Sequence, residues 1–138
     1  MTLTDEQGFN WSYLATEDNF QFIQTMQRKN LIIPLVGDFA GPKTIRGVGQ
    51  YLKEHGSAVT VFYTSNVEYY IQSPSNVWTS YCRNVASLPI EPSSLFIRFD
   101  PYGYASGPPS TIAPMSDFVK LVAQNRIPGY VSVLRMSR

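Results

Sequence analysis

Leu31-Ile-Ile-Pro-Leu-Val36 runs directly into Gly37-Asp-Phe-Ala-Gly41 and then Pro42. An apolar run of this length, without polar alternation, reads as a strand covered on both faces, as in a parallel sheet. Pro34 donates no ladder hydrogen bond, which favours an edge position or a local irregularity. The glycine-bounded stretch reads as a turn. Pro42 suits the first position of a helix, where an N–H would lack an intrahelical partner in any case. Ile45, Val48 and Leu52 fall at i, i+3 and i+7 on that helix, and Gly56 is its stop.

Upstream, Thr16 precedes Glu17 and Asp18, while Arg28 and Lys29 come just before Asn30. An N-cap, acids in the first turn and bases in the last define a helix with Phe20, Ile23 and Met26 as its buried stripe. Downstream, Ala58-Val-Thr-Val-Phe-Tyr63 is the second strand. Ser65-Asn-Val-Glu68 has the spacing of a capping box and opens a short helix to Tyr70. A helix around residues 76–85 buries Trp78, Cys82 and Val85, and Leu95-Phe-Ile-Arg-Phe99 is the third strand. A Gly-, Pro- and Ser-rich loop spans residues 100–110. Met115, Phe118, Val119 and Val122 mark the last helix, and Tyr130-Val-Ser-Val-Leu134 a final strand. Helices alternating with strands predict an α/β fold, one domain over residues 1–138 with residues 1–15 as a lead-in. The expected architecture has three layers: a largely parallel open sheet of three to four strands, with helices on both faces.

Composition narrows the function classes. The 138 residues are 43% hydrophobic and 15% charged, so a packed core is expected and disorder is not. Eleven basic and ten acidic residues, scattered singly, give a net charge of +1. No basic stripe for a phosphate backbone is present, which argues against nucleic acid as partner. The longest apolar runs are far too short to cross a bilayer. The acidic start Met1-Thr-Leu-Thr-Asp-Glu6 is unlike a signal peptide, and the single Cys82 excludes an internal disulfide. A cytoplasmic protein is expected. With one His and one Cys, no metal site of the usual ligands is expected.

In open parallel sheets, ligands sit at the carboxyl ends of the strands. Those ends are expected at Gly37-Asp38-Phe39, at Tyr63-Thr64-Ser65-Asn66 and at Asp100. Gly37-Asp-Phe-Ala-Gly-Pro-Lys-Thr44 is one residue from the phosphate-loop pattern, but Pro42 stands where the second glycine supplies an N–H to the phosphates. A βα turn closed by Pro42 is the preferred reading. A degenerate phosphate-loop protein is one alternative. Gly47 and Gly49, inside one helix, are read as close packing points. The capping box accounts for Ser65 and Glu68; Asn66 between them stays a candidate. His55, at a helix C-terminus where a cation is favoured, is read as structural, and Cys82 as core. Tyr63 and Tyr102, near strand ends, could wall a pocket for a flat ligand.

The stretch from Asn30 through Gly37-Asp-Phe-Ala-Gly-Pro-Lys43 to Gly56, continued by Val59 to Tyr63 and Ser65-Asn-Val-Glu68, resembles an uncharacterised bacterial family. That family is similar in outline to Rossmann-like, S-adenosylmethionine-dependent methyltransferases. The resemblance runs from about Tyr13 to about Phe99 and implies the second half of such a fold, with Tyr130 to Leu134 as its antiparallel strand. It implies an upstream half carrying the glycine-rich turn, without which the isolated chain is expected to be inactive. S-adenosylmethionine is then the implied cofactor, with Gly37, Asp38, Phe39, Ser65 and Asn66 lining its site, Asp38 accepting a hydrogen bond and Phe39 stacking. The partners implied are that upstream half, or a second copy meeting the edge of the strand from Leu31 to Val36. A non-catalytic binding or assembly module is the alternative from a different functional class.

Overall fold

The computed structural model describes residues 4–100, 102–103 and 110–136. They form two compact units, Met1–Leu35 and Val36–Arg138.

The first unit is built on local hydrogen bonds. Asp5 Oδ1 accepts the amides of Gln7 and Phe9, and Oδ2 accepts the Trp11 indole N–H at 2.7 Å. These donors, Trp11 first among them, hold the Asp5 carboxyl below its usual range. Helix α1 (Glu17–Arg28) starts where its cap predicts, with Thr16 Oγ1 accepting the Asn19 amide at 3.1 Å. It ends at Asn30, whose φ is 55°, with Leu31 N–H bonding back to Met26 and Asn30 N–H to Gln27. That pair of bonds is a Schellman closure, satisfying carbonyls the helix cannot. The expected stripe is not enclosed: Phe20 is exposed, Ile23 and Met26 only half-buried. So short a unit has too little chain to wrap a helix.

Leu31 to Val36 is not a strand but exposed irregular chain. Apolar composition does not make a strand without a hydrogen-bonded neighbour. Pro34 removes one donor and restricts Ile33 before it.

The second unit contains the sheet. Strands β1 (Val59–Ser65), β2 (Ile90–Phe99) and β3 (Ser110–Pro114) lie in that order. β1 and β2 are parallel, whereas β2 and β3 are antiparallel, so the sheet is mixed rather than largely parallel. Helices α2 (Thr44–Glu54), α3 (Val67–Ile71), α4 (Ser75–Ala86), α5 (Met115–Ala123) and α6 (Tyr130–Arg135) complete it. α3 and α4 form the crossover that a parallel pair requires. α2 closes at Gly56, φ 61°, by the same double bond as α1, here to Leu52 and Lys53.

The residue from 130 to 134 form helix α6 rather than the expected strand. Their buried members, Tyr130, Val133 and Leu134, fall at i, i+3 and i+4, a helical spacing that a short apolar run disguises. β3 was not expected at all. Ser-Thr-Ile-Ala-Pro is short and weakly apolar, and buries only Thr111 and Ala113 in alternation. Most of the expected loop after Asp100, Tyr104 included, lies outside the described residues.

Alternation divides the sheet into two unlike faces. Phe62, Thr64, Ser94, Phe96, Arg98, Thr111 and Ala113 point to the helical side. Phe96 is the centre of the core there, edge-on to Phe62 and to Phe118 of α5. Tyr81, Cys82 and Val85 of α4 and Val133 and Leu134 of α6 join the same cluster. The opposite face carries Val61, Leu95, Ile97, Phe99 and Ile112. Val61 is 48%, Tyr63 63% and Ile112 51% exposed. Ile45 of α2 and buried residues of α4, α5 and α6 all join the one cluster that contains Phe96.

Candidate functional site

At the carboxyl end of β1 the chain turns sharply. Ser65 adopts φ 46°, a left-handed conformation costly for a residue with a side chain. Asn66 follows at the N-cap position of α3 without making a side-chain cap. Both are exposed. The expected capping box does not form, because α3 begins at Val67 and Glu68 falls at its second residue rather than its third. Glu68 instead turns inward and is 2% exposed.

There it organises the only ion pair buried among the described residues. Arg98 Nε of β2 donates to Glu68 Oε2 at 3.0 Å and to Oε1 at 3.3 Å. Tyr81 Oη of α4 donates to Oε1 at 2.9 Å, and Thr64 Oγ1 of β1 to Oε2 at 3.5 Å. The Arg98 guanidinium lies over the Phe96 ring, 3.6 Å from its centroid, a cation–π contact in a dry setting. One carboxylate therefore ties α3, α4, β1 and β2 together. Burial, and then the Glu68 charge, push the Tyr81 phenol well above its ordinary value. The same causes push the Cys82 thiol up to about 12. Both stay protonated at neutral pH, so Cys82 is packing rather than a nucleophile.

Sequence reasoning passed over Glu68 and Arg98. The signal was present in Ser94, Phe96 and Arg98, which alternate along one strand. A charge on the same side as Phe96 must be buried, and a buried charge needs a partner.

Gly37, Asp38 and Phe39 do not end a strand. They form the turn entering α2, where Asp38 Oδ1 accepts the Ala40 amide at 2.8 Å and the Asp38 carbonyl accepts that of Gly41. Asn84 Nδ2 of α4 donates to the Phe39 and Gly41 carbonyls at 3.0 and 2.8 Å, while its Oδ1 accepts from Arg46 Nε. A Cβ on Gly37 would collide with the Thr44 side chain, so this glycine marks close approach. The turn is pinned to α4, and among the described residues no hydrogen bond joins it to Ser65 or Asn66.

The remaining candidates are structural. Gly49 packs on Leu88 and the Ser87 carbonyl as expected, but Gly47 faces open space. His55 caps α2, its ring on Tyr51 and its Nδ1 2.7 Å from the Tyr51 carbonyl. Tyr102 stacks on Tyr69, whereas Tyr63 stands on the open sheet face, so the two are not brought together as pocket walls. A shallow recess of about 230 Å³ is lined by Leu121, Arg126, Ile127, Pro128, Ser132 and Met136. No helix of the described residues is long and apolar enough to cross a membrane.

A family model for a domain of unknown function, DUF7790, matches residues 2–126. The chain belongs to the DUF7790 family. No curated protein matches it. In this DUF7790 chain Glu68, Arg98, Tyr81 and Thr64 are engaged with one another on the helical side, while Arg98 Nη2 and Thr111 Oγ1 are buried there without a hydrogen-bond partner among the described residues. The surface left with unusual chemistry is the sheet face bearing the uncharged Val61, Tyr63, Leu95, Ile97, Phe99 and Ile112.

Proposed function

We propose that this DUF7790 chain is a non-catalytic binding and assembly module whose working surface is the uncovered sheet face. The observation that carries this reading is the exposure of Val61 and Tyr63 on β1 and of Ile112 on β3, flanking the half-buried Leu95, Ile97 and Phe99 of β2, on a sheet whose other face is closed. Tyr63, Ile97 and Ile112 are aligned across the three strands by register. Contiguous exposed apolar surface of this kind marks interaction sites. The groups suited to chemistry point elsewhere: Glu68 is consumed by Arg98 and Tyr81, and Cys82 is held neutral.

A second reading, a Rossmann-like methyltransferase half that becomes active with an upstream half, keeps one observation in its favour. Ser65 is strained and exposed with Asn66 at the carboxyl end of a parallel strand, where such folds bind ligands. Against it stand the turn of Gly37, Asp38 and Phe39, pinned to α4 and not following a strand, and the helical Tyr130–Arg135. Calorimetry with S-adenosylmethionine separates the two. The assembly reading expects no binding tighter than about 1 mM, or −4 kcal/mol. Micromolar binding lost in Asn66→Ala would replace it with the methyltransferase reading. Calorimetry with magnesium-ATP does the same for the phosphate-loop alternative, with Lys43→Ala as the variant.

A further inference from the structure

The sheet has two edges, and they are built differently. β3 is five residues long and ends on Pro114, which cannot donate to a neighbour. Shortness and proline are among the ways natural sheets prevent edge pairing. β1 is seven residues long, Val-Thr-Val-Phe-Tyr-Thr-Ser, with no proline, lysine or other charge; its register with β2 shifts between Val59 and Val61 and between Tyr63 and Ser65, so Val61, Phe62 and Tyr63 are its regular stretch. Every residue but the last is β-branched or aromatic, the composition that favours pairing. Its inner side is hydrogen-bonded to β2, and among the described residues no strand lies on its outer side.

Resting on the assembly reading above, we propose that β1 is a self-association edge, and that its occupant is β1 of a second copy. Identical strands related by a two-fold axis pair antiparallel. Centred on Phe62, the pairing sets Val61 of each copy beside Tyr63 of the other, on the open face. An aromatic next to a β-branched residue is a favourable cross-strand pair. Antiparallel self-pairing also brings like residues near one another, so any charge in β1 would oppose it; the strand contains none. The result is a continuous six-stranded sheet whose two open faces merge into one apolar surface. The self-association expected from sequence at Leu31 to Val36 thereby moves to β1, because those residues form no strand edge.

The test uses the whole chain. Sedimentation velocity from about 10 µM to 1 mM, within the range of weak specific contacts, should show a monomer passing to a dimer. Val61→Lys should raise the dissociation constant at least tenfold, and Val61→Thr should leave it within about threefold. Amide exchange on the unmodified chain gives a readout that no folding defect can mimic: β1 amides should gain protection as concentration rises, and β3 amides should not. A monomer throughout overturns the proposal. So does a dimer that Val61→Lys leaves intact and that gives β1 no added protection. If that dimer is instead broken by Ile112→Lys, the open face and not the edge is the contact, and the assembly reading survives without this inference. If S-adenosylmethionine binds at micromolar strength and no dimer forms, both fail.

Discussion

Removing the Glu68 carboxylate should unfold this protein more effectively than any other single polar substitution. Glu68 and Arg98 are each 2% exposed, so Glu68→Ala leaves a guanidinium in the core with no counter-charge and takes the acceptor from Tyr81. Breaking a buried pair from one side costs about 3–5 kcal/mol. Against a total stability of about 5–15 kcal/mol, that is a large share. The midpoint of thermal unfolding should fall by roughly 10–20 °C for a chain of this size. Glu68→Gln should fall nearly as far: it keeps an oxygen for Tyr81 but not the charge. Replacing both members, Glu68→Leu with Arg98→Met, should cost less than either single change, since apolar side chains of similar volume replace buried pairs at little net cost. The double-mutant cycle should then show coupling of about 3 kcal/mol or more. Urea unfolding followed by far-UV circular dichroism measures all four proteins, with the slope unchanged if folding stays two-state. A loss below about 1 kcal/mol for Glu68→Ala, or additive single effects, would refute the claim that this pair ties the helices to the sheet.

Three further outcomes concern stability. Cys82 and Tyr81 have folded values raised above their unfolded ones: the Cys82 contribution is complete below about pH 8.5 and is lost as pH rises toward about 12, and that of Tyr81 is complete below about pH 10 and is lost above it. Thermal unfolding should fall from about pH 8.5 upward, and Cys82→Ala should delay that fall to about pH 10, where unfolded tyrosine ionises. Gly47→Ala should stabilise by about 0.5–1 kcal/mol, because a methyl there meets nothing and Ala is the better helix former. Asn84→Leu should cost about 2–3 kcal/mol by orphaning the Phe39 and Gly41 carbonyls. Amide exchange should quicken at Ala40 and Gly41 first.

What was legible in the sequence was what local chemistry controls. Thr16, Asn30 and Gly56 set helix ends by hydrogen bonds within a few residues, and those ends stand where expected. β1, β2, α4 and α5 were recognisable by length and spacing. Elements decided by distant partners were not. Leu31 to Val36 has the composition of a strand but no neighbour, and β3 has a neighbour but little composition. Tyr130 to Leu134 carries two periodicities at once, and packing selects the helical one. At the site, Ser65 and Glu68 matched a local motif, yet a long-range ion pair with Arg98 overrode it. Ser65 and Asn66 do lie at a strand's carboxyl end, whereas Gly37, Asp38 and Phe39 depended on a strand that does not form.

The claim at the centre is that one face of the sheet is open and available. Methyl-detected NMR of the dilute monomer with a soluble paramagnetic agent measures this directly. The account predicts strong broadening of the Val61 and Ile112 methyls and little at Val85, Val133 and Leu134, which are buried on the helical side. Equal protection of both sets would contradict it, because the face would then be covered within the chain and could not be the binding surface.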